Sequence, residues 1–178
     1  RFEAWYNPPE NWHCETVLYG VDHNVFRPMN HDHEEEQLAY EALRKSYDAA
    51  DEAALHGSPD TKTPLLLAVG RLVARKGHRT LLRSMPRILE HHPGARLVIV
   101  GRGHMRATLL RQAKRLGVAH AVHIMPGMSF DALALHFRSA DLVIYPSYYE
   151  GQGLIPLEAL ASGTPVVTCL LYTSPSPR

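Results

Sequence analysis

Two glutamates in the last third of the sequence have a spacing that could serve the binding of a polar ligand. Glu150 and Glu158 lie on either side of a glycine-containing turn, which follows the apolar run Leu142 to Tyr145. A carboxylate accepts hydrogen bonds from hydroxyls, whereas the N–H groups that begin a helix after such a turn attract phosphate. A ligand with both groups, such as a nucleotide sugar, would suit this segment. From these residues alone, a glycosidase-like acid and base pair and two solvated helix carboxylates remain alternatives.

Two cations follow another apolar run, Leu65 to Val69, which ends at Gly70. Arg71 comes next, and Lys76 lies further along the same loop beside a second glycine. The planar fork of Arg and the compact ammonium of Lys both suit phosphate oxygens, and fixed cations stabilise the charge of a departing diphosphate. The alternative is that both are solvated loop cations.

Glycines also end the other apolar runs, where they would let the backbone approach a ligand. The candidate positions for such an approach are Gly101, and Gly153 with the first residue of the next helix, Leu154. One helix terminus contributes only roughly 0.3–1 kcal/mol to the binding of an anion, so a diphosphate would need the two cations as well.

Apolar runs and helical segments alternate along the sequence, which predicts an α/β fold. We expect a Rossmann-like parallel sheet with helices on both of its faces. Pro86 falls inside one predicted helix and indicates a kink or a late start, and Gly117 is a natural stop for another. The predicted strands are 65–69, 97–100, 122–124, 142–145 and one from 166, and the predicted helices lie in 33–56 and over 80–90, 105–116, 130–139 and 154–161.

The composition excludes several classes of protein. The 178 residues include 19 Lys and Arg and 18 Asp and Glu, so the net charge indicates neither a nucleic-acid surface nor an acidic tail. No apolar run approaches the roughly 20 residues of a membrane helix. The histidine pairs at 31/33 and 91/92 lack the spacing of a known metal site, so we expect no bound metal.

The pattern Glu150-x7-Glu158, followed by Gly-Thr-Pro-Val-Val, resembles the signature of retaining glycosyltransferases of the GT-B architecture, group 1 class (family 4). Gln152 and Tyr19 depart from the usual residues at their positions, and these departures bear on the sugar preference. Three further segments are similar to the same family in the same order, at 19–28, 68–82 and 96–110.

The resemblance implies a role for each candidate residue. Arg71 and Lys76 would hold the diphosphate, Glu150 the donor sugar hydroxyls and Glu158 the ribose hydroxyls. We therefore assign Arg71, Lys76 and Glu150 to catalysis. Donor binding is assigned to Gly70, Gly101, Gly127, Met128, Gly151, Gln152, Gly153, Leu154 and Glu158.

The implied reaction transfers a sugar from a nucleoside-diphosphate sugar to an acceptor hydroxyl and keeps the anomeric configuration. No cofactor or metal is expected besides the donor, and the acceptor is a glycan, a lipid or a small molecule. Two rivals remain: a non-catalytic nucleotide-sugar-binding module, and a GT-B relative such as an epimerase or a phosphorylase.

The resemblance also suggests how the chain is organised. We expect residues 1–28 to be a connector from an N-terminal acceptor domain outside this sequence, and residues 29–168 to be the nucleotide-sugar-binding domain, the truncated C-terminal half of a GT-B fold. Residues 169–178 match a translated frame of a sequencing adaptor, so we expect them to be read-through. We expect a cytoplasmic protein, either free or peripheral at the inner membrane surface.

Overall fold

The computed structural model of the protein describes residues 20–48, 63–150 and 153–169. Within these ranges, strands and helices alternate after a first helix. Short 3-10 turns at Ala74–Lys76 and Ala119–Ala121 precede α2 and β3. The elements are α1 Glu34–Asp48, β1 Leu65–Val69, α2 His78–His91, β2 Arg96–Val100, α3 Arg106–Arg115, β3 Val122–Met125, α4 Phe130–Ser139, β4 Leu142–Tyr145, α5 Leu154–Ala161 and β5 Val166–Thr168.

The strands form one parallel sheet in the order β3-β2-β1-β4-β5. In its centre, Leu66 of β1 is paired with Leu97 of β2 and Leu142 of β4. The chain runs outward from β1 to β3 and then crosses back to β4, so the strand order reverses between β1 and β4. In open α/β sheets, ligands bind outside the carboxyl ends of the strands at this reversal.

Helices cover both faces of the sheet, as the sequence predicts. On one face, Leu82 of α2 and Leu109 of α3 are buried against Leu97. On the other face, Phe137 of α4 and Val143 of β4 lie in a second cluster, to which α1 and α5 also contribute. The strands are apolar and buried because helices pack on them from both sides.

The prediction for α2 was wrong at its start. The helix begins at His78 instead of position 80 and runs continuously through Pro86, so the late start indicated by the proline does not occur. Proline removes one hydrogen bond from a helix interior, but Leu81, Leu82 and Met85 bury one stripe of this helix against the sheet. Packing of that stripe outweighs the lost bond, because most helical stability in proteins comes from tertiary packing.

The segment before α1 packs on α4. The buried Phe26 ring lies edge-on to Phe137, with ring centroids 5.8 Å apart. Glu36 of α1 forms ion pairs with Arg27 at 3.3 Å and with Arg138 of α4 at 3.4 Å. These contacts hold residues 20–28 against the sheet domain; the predicted division of the chain at residue 28 stays a prediction.

Candidate functional site

The loops that follow β1 and β2 touch each other at the carboxyl edge of the sheet. Gly70 N–H donates to the Val100 carbonyl at 3.0 Å, and Leu72 N–H donates to the Arg102 carbonyl at 2.9 Å. A Cβ on Gly101 would lie 2.0 Å from the Gly70 carbonyl oxygen. Only glycine allows this approach, so Gly70 and Gly101 lie side by side, as the candidate site requires.

The loop after β4 is brought to the same place by a second glycine. Gly77 has a φ of 70° in the left-handed region, and a Cβ there would lie 1.9 Å from the Pro146 carbonyl oxygen. Tyr148 N–H also donates to the Arg75 carbonyl at 2.8 Å. The close contact joins the loop that carries Lys76 to the loop that carries Glu150.

Lys76 and Glu150 form an ion pair at the point where the strand order reverses. Lys76 Nζ donates to Glu150 Oε1, and the two side chains are only 10% and 12% exposed. Ser147 Oγ donates to the same carboxylate oxygen at 2.6 Å. Lys76 Nζ also lies 3.4 Å from the Tyr145 hydroxyl and 5.3 Å from the centre of its ring. A phosphate that enters this site therefore meets an ammonium group that already has a carboxylate partner.

Electrostatics keep the Glu150 carboxylate ionised. Burial would raise the pKa of Glu150, but the hydrogen bonds from Lys76 and Ser147 and the Lys76 charge outweigh burial and hold this pKa below its ordinary value. Burial raises the pKa of the Tyr145 hydroxyl, and the neighbouring Glu150 and Glu158 carboxylates add to the rise. Tyr145 is therefore a neutral hydrogen-bond donor at the site.

Arg71 follows Gly70 directly and its side chain is exposed. Its guanidinium has no hydrogen-bond or ion-pair partner among the described residues. The structure thus places the backbone of Arg71 beside the site and leaves its side chain available to solvent or to a ligand.

Glu158 lies in a separate cavity of about 290 Å³. Burial raises the pKa of this carboxyl group, and its Oε2 atom is buried without a hydrogen-bond partner in the described part of the chain. Such an oxygen costs free energy unless a donor reaches it, and a ligand hydroxyl would be such a donor. The cavity is lined by Gly20, Val21, Asp22, Val25, Phe26, Phe130, Leu154 and Glu158.

The remaining predicted positions differ in how far the structure describes them. Gly153 has a φ of 60° and immediately precedes α5, which begins at Leu154 as predicted. Gly127 and Met128 lie in the loop after β3; Gly127 is exposed and a Cβ there would lie 3.7 Å from Arg102 Nε. Gly151 and Gln152 fall outside the described residues.

Three residues of the site were not predicted from the sequence. Tyr145 ends a predicted strand and Ser147 begins the turn that follows it, but neither residue belongs to a recognisable sequence motif. His78 is 3% exposed, and neither ring nitrogen has a hydrogen-bond partner of normal geometry among the described residues. Burial is the largest influence on His78 and lowers its pKa; the Arg71 and Gly70 backbone opposes this shift, and the Lys76 charge adds a smaller lowering effect.

Two further properties concern only the part of the chain that the structure describes. Among those residues, no group of three or more His, Cys, Asp or Glu side chains is placed to hold a metal ion. None of the described helices is both long enough and apolar enough to span a bilayer.

The fold and the site define a class of protein. A parallel Rossmann-like sheet with helices on both faces is the domain architecture of GT-B glycosyltransferases. In this chain, cationic and carboxylate side chains lie at the strand reversal of that sheet. The sequence model described as "Glycosyl transferases group 1" matches residues 52–175, more than half of the chain. The chain therefore belongs to the group 1 glycosyltransferase family.

Individual relatives of the chain are also named as glycosyltransferases. The chain is 48% identical over 103 residues to an uncharacterized glycosyltransferase of Methanocaldococcus jannaschii, covering 58% of the chain and 26% of that protein. It is 38% identical over 174 residues to a GDP-mannose-dependent alpha-(1-6)-phosphatidylinositol monomannoside mannosyltransferase of Mycolicibacterium smegmatis, covering 94% of the chain and 40% of that protein. The chain thus spans less than half the length of these relatives.

Solved structures agree on the fold. The Anabaena protein HepE, solved in complex with UDP and glucose, superposes with a TM-score of 0.67 at 19% identity. That match covers 89% of this chain and 39% of the Anabaena chain.

Proposed function

We propose that the chain is the donor-binding part of a retaining glycosyltransferase of family 4. The enzyme would move a sugar from a nucleoside-diphosphate sugar to an acceptor hydroxyl. The observation that carries the proposal is the Lys76, Glu150 and Tyr145 cluster at the strand reversal. It combines a cation for phosphate with a carboxylate and a hydroxyl for sugar groups, at the place where this fold binds ligands.

The mechanism follows from where charge develops. When the glycosidic bond of the donor breaks, negative charge grows on the leaving diphosphate. The largely buried Lys76 is a fixed cation beside it, and the exposed Arg71 side chain would reach it from the same loop. Such cations favour the transition state more than the ground state, which accelerates the chemical step. In this proposal no metal ion and no cofactor takes part, and the protein supplies the compensating charge through its own side chains.

The carboxylates have separate tasks in the proposal. Glu150 would accept hydrogen bonds from hydroxyls of the donor sugar, since it shares the site with the diphosphate cation Lys76. Glu158 would accept ribose hydroxyls, since this residue lines a cavity of about 290 Å³ and its buried Oε2 has no donor among the described residues. Gly101 and Gly153 would let the backbone come close to the donor.

The relatives support a nucleotide-sugar donor. The mycobacterial relative is named for its dependence on GDP-mannose, and the Anabaena structure holds UDP and glucose. We leave the base, the sugar and the acceptor open, because these two proteins differ in base and sugar. Since nucleotide sugars of this kind are cytoplasmic substrates, we place the protein in the cytoplasm or at the inner membrane surface.

Calorimetric titration of the chain with UDP, GDP and ADP tests the donor assignment. We expect one of the three to bind, and Lys76→Gln to weaken that binding by roughly 10- to 150-fold, the range for a hydrogen bond to a charged group. Lys45→Gln is the matched control, because it removes the same charge from an exposed position of α1 that is not part of the candidate site. Equal losses in the two variants would show that Lys76 has no specific role.

Nuclear magnetic resonance of the product made by the complete protein tests the retaining assignment. We expect the anomeric configuration of the donor to be kept in the product. An inverted product would refute the retaining mechanism while leaving the donor site intact, and donor binding without turnover would indicate a binding module instead.

A further inference from the structure

The nearly neutral net charge of the chain conceals a strong segregation of charge. Residues 63–130 contain twelve Lys and Arg residues but a single carboxylate, Glu90. Every other carboxylate of the described residues lies within 20–48 or 131–158. Surface charges of both signs are normally interspersed, so this distribution sets the segment apart.

The fold places seven of these twelve cations on the two helices that cover one face of the sheet. α2 and α3 pack side by side over the same side of the sheet. Residues 79, 83, 87 and 91 of α2 recur at every fourth position and so form one stripe along the helix. The exposed cations of the two helices, here called the α2–α3 cationic face, are Arg79, Arg83, Arg87, Arg106, Arg111, Lys114 and Arg115.

The charges of this face are not neutralised within the described protein. None of the seven cations forms an ion pair with a described carboxylate. The opposite face is acidic, since the exposed Glu34, Glu35 and Glu41 of α1 lie on the other side of the sheet and outnumber the exposed Lys45 of that helix. The molecule therefore has a cationic and an anionic side, which would orient it on a charged surface.

The chemistry of the face favours a lipid surface over a single-stranded nucleic acid. Neither α2 nor α3 carries Phe, Tyr or Trp, and proteins that bind single strands without sequence preference stack bases on such aromatic residues. Neither helix has an exposed large apolar side chain, so insertion into the acyl region is not expected. Clusters of four to eight Lys and Arg residues on an amphipathic helix attract anionic lipid headgroups electrostatically.

A hollow on the face has room for a lipid headgroup. It measures about 390 Å³ and lies along the second half of α2, where Arg83 and Arg87 stand one turn apart beside Ser84 and His91. Arg donors suit a phosphate group, which can accept two hydrogen bonds from one guanidinium.

We propose that the α2–α3 cationic face docks the protein reversibly on an anionic lipid bilayer. Because the stripe begins at Arg79, close in sequence to Lys76, the docked protein would hold the candidate donor site near the bilayer surface. This docking is independent of the proposed transfer reaction, since it uses none of the residues assigned to the donor.

Co-sedimentation of the full chain with vesicles tests the proposal. We expect binding to vesicles of mixed phosphatidylglycerol and phosphatidylcholine, no binding to phosphatidylcholine alone, and release in high salt as charges are screened. The double variant Arg83→Gln, Arg87→Gln should lower the vesicle affinity about 30-fold, at roughly fivefold for each lost charge. Both positions are exposed, so an unchanged thermal transition should confirm that the variant folds.

The matched control changes the net charge by the same amount on the opposite face. Ala39→Glu, Ala42→Glu adds two negative charges to exposed positions of α1, and we expect it to keep most of the vesicle affinity. A similar loss in both double variants would show that only net charge matters and would overturn the proposal. So would failure to bind anionic vesicles at low salt, or a single-stranded oligonucleotide that binds the face more tightly than the vesicles do.

Discussion

Replacing Glu150 by Gln should tighten the binding of a nucleoside diphosphate. Lys76 Nζ donates to Glu150 in the ligand-free structure, and both side chains are largely buried. A diphosphate that binds Lys76 must displace this carboxylate or share the ammonium group with it. The substitution keeps the shape of the side chain and removes its charge, so the competition becomes weaker.

The size of the effect can be bounded from the geometry. Exposed ion pairs contribute roughly 0.2–1 kcal/mol, whereas two charges about 4 Å apart at an effective dielectric constant of about 20 attract by roughly 4 kcal/mol before desolvation is subtracted. A nearly buried pair such as Lys76 and Glu150 lies between these limits, at about 1.5 kcal/mol. We therefore expect the diphosphate to bind about tenfold more tightly to Glu150→Gln.

Calorimetric titration with the preferred diphosphate measures this gain, with Glu90→Gln as the control for the same change of charge. Glu90 is exposed on α2 and has no ion-pair partner in the described protein. Unchanged or weaker binding by Glu150→Gln would refute the competition between carboxylate and diphosphate. An equal gain in Glu90→Gln would mean that the effect is one of net charge.

Other changes have directions fixed by the same structure. Glu158→Gln should raise the melting temperature of the ligand-free chain, because it removes a buried carboxylate that has an oxygen without a partner among the described residues. The same substitution should weaken the binding of a nucleoside diphosphate by roughly 10- to 150-fold, because a charged acceptor is lost. Scanning calorimetry measures the melting temperature, and calorimetric titration measures the affinity. Acid should destabilise the fold. Burial lowers the pKa of His78, His123 and His136, so the unfolded chain binds protons that the folded chain does not. The free energy of unfolding should therefore be constant between about pH 7 and pH 9 and fall below roughly pH 6.5; a urea midpoint unchanged between these conditions would contradict this. Gly101→Ala should destabilise the chain by more than Gly117→Ala does. The Cβ at position 101 would strike the Gly70 carbonyl, whereas the space around Gly117 is open and only backbone strain of roughly 1 kcal/mol is expected there. Thermal unfolding of both variants measures the difference.

Much of the fold could be predicted because its strands are buried on both sides. The bounds of β1 and β4 agree with the apolar runs in the sequence, since parallel strands between two helical layers contain few polar residues. Gly117 ends α3 as expected, with a φ of 73° in the left-handed region. The start of α2 was missed because His78 and Arg79 are polar and gave no apolar signal, although His78 is buried.

The sequence predicts residues of the site but not the contact between Lys76 and Glu150. The motif spacing identified Lys76 and Glu150 separately, yet their contact depends on how the β4 loop packs on Gly77, and the two residues are 74 positions apart. Ser147 lies in the same β4 loop and donates to Glu150, and no local sequence pattern predicts that contact. The cavity at Glu158 includes Gly20 and Phe130 from distant parts of the chain, so only the folded arrangement shows that this carboxylate is enclosed.

The structure of the chain bound to its preferred nucleoside diphosphate would test the central claim most directly. We predict that diphosphate oxygens lie at hydrogen-bond distance from Lys76 Nζ, at the carboxyl edge between β1 and β4, and that Glu150 has moved away from the ammonium group to make room. A diphosphate held elsewhere, for example by Arg83 and Arg87, with the Lys76–Glu150 pair intact, would contradict the account.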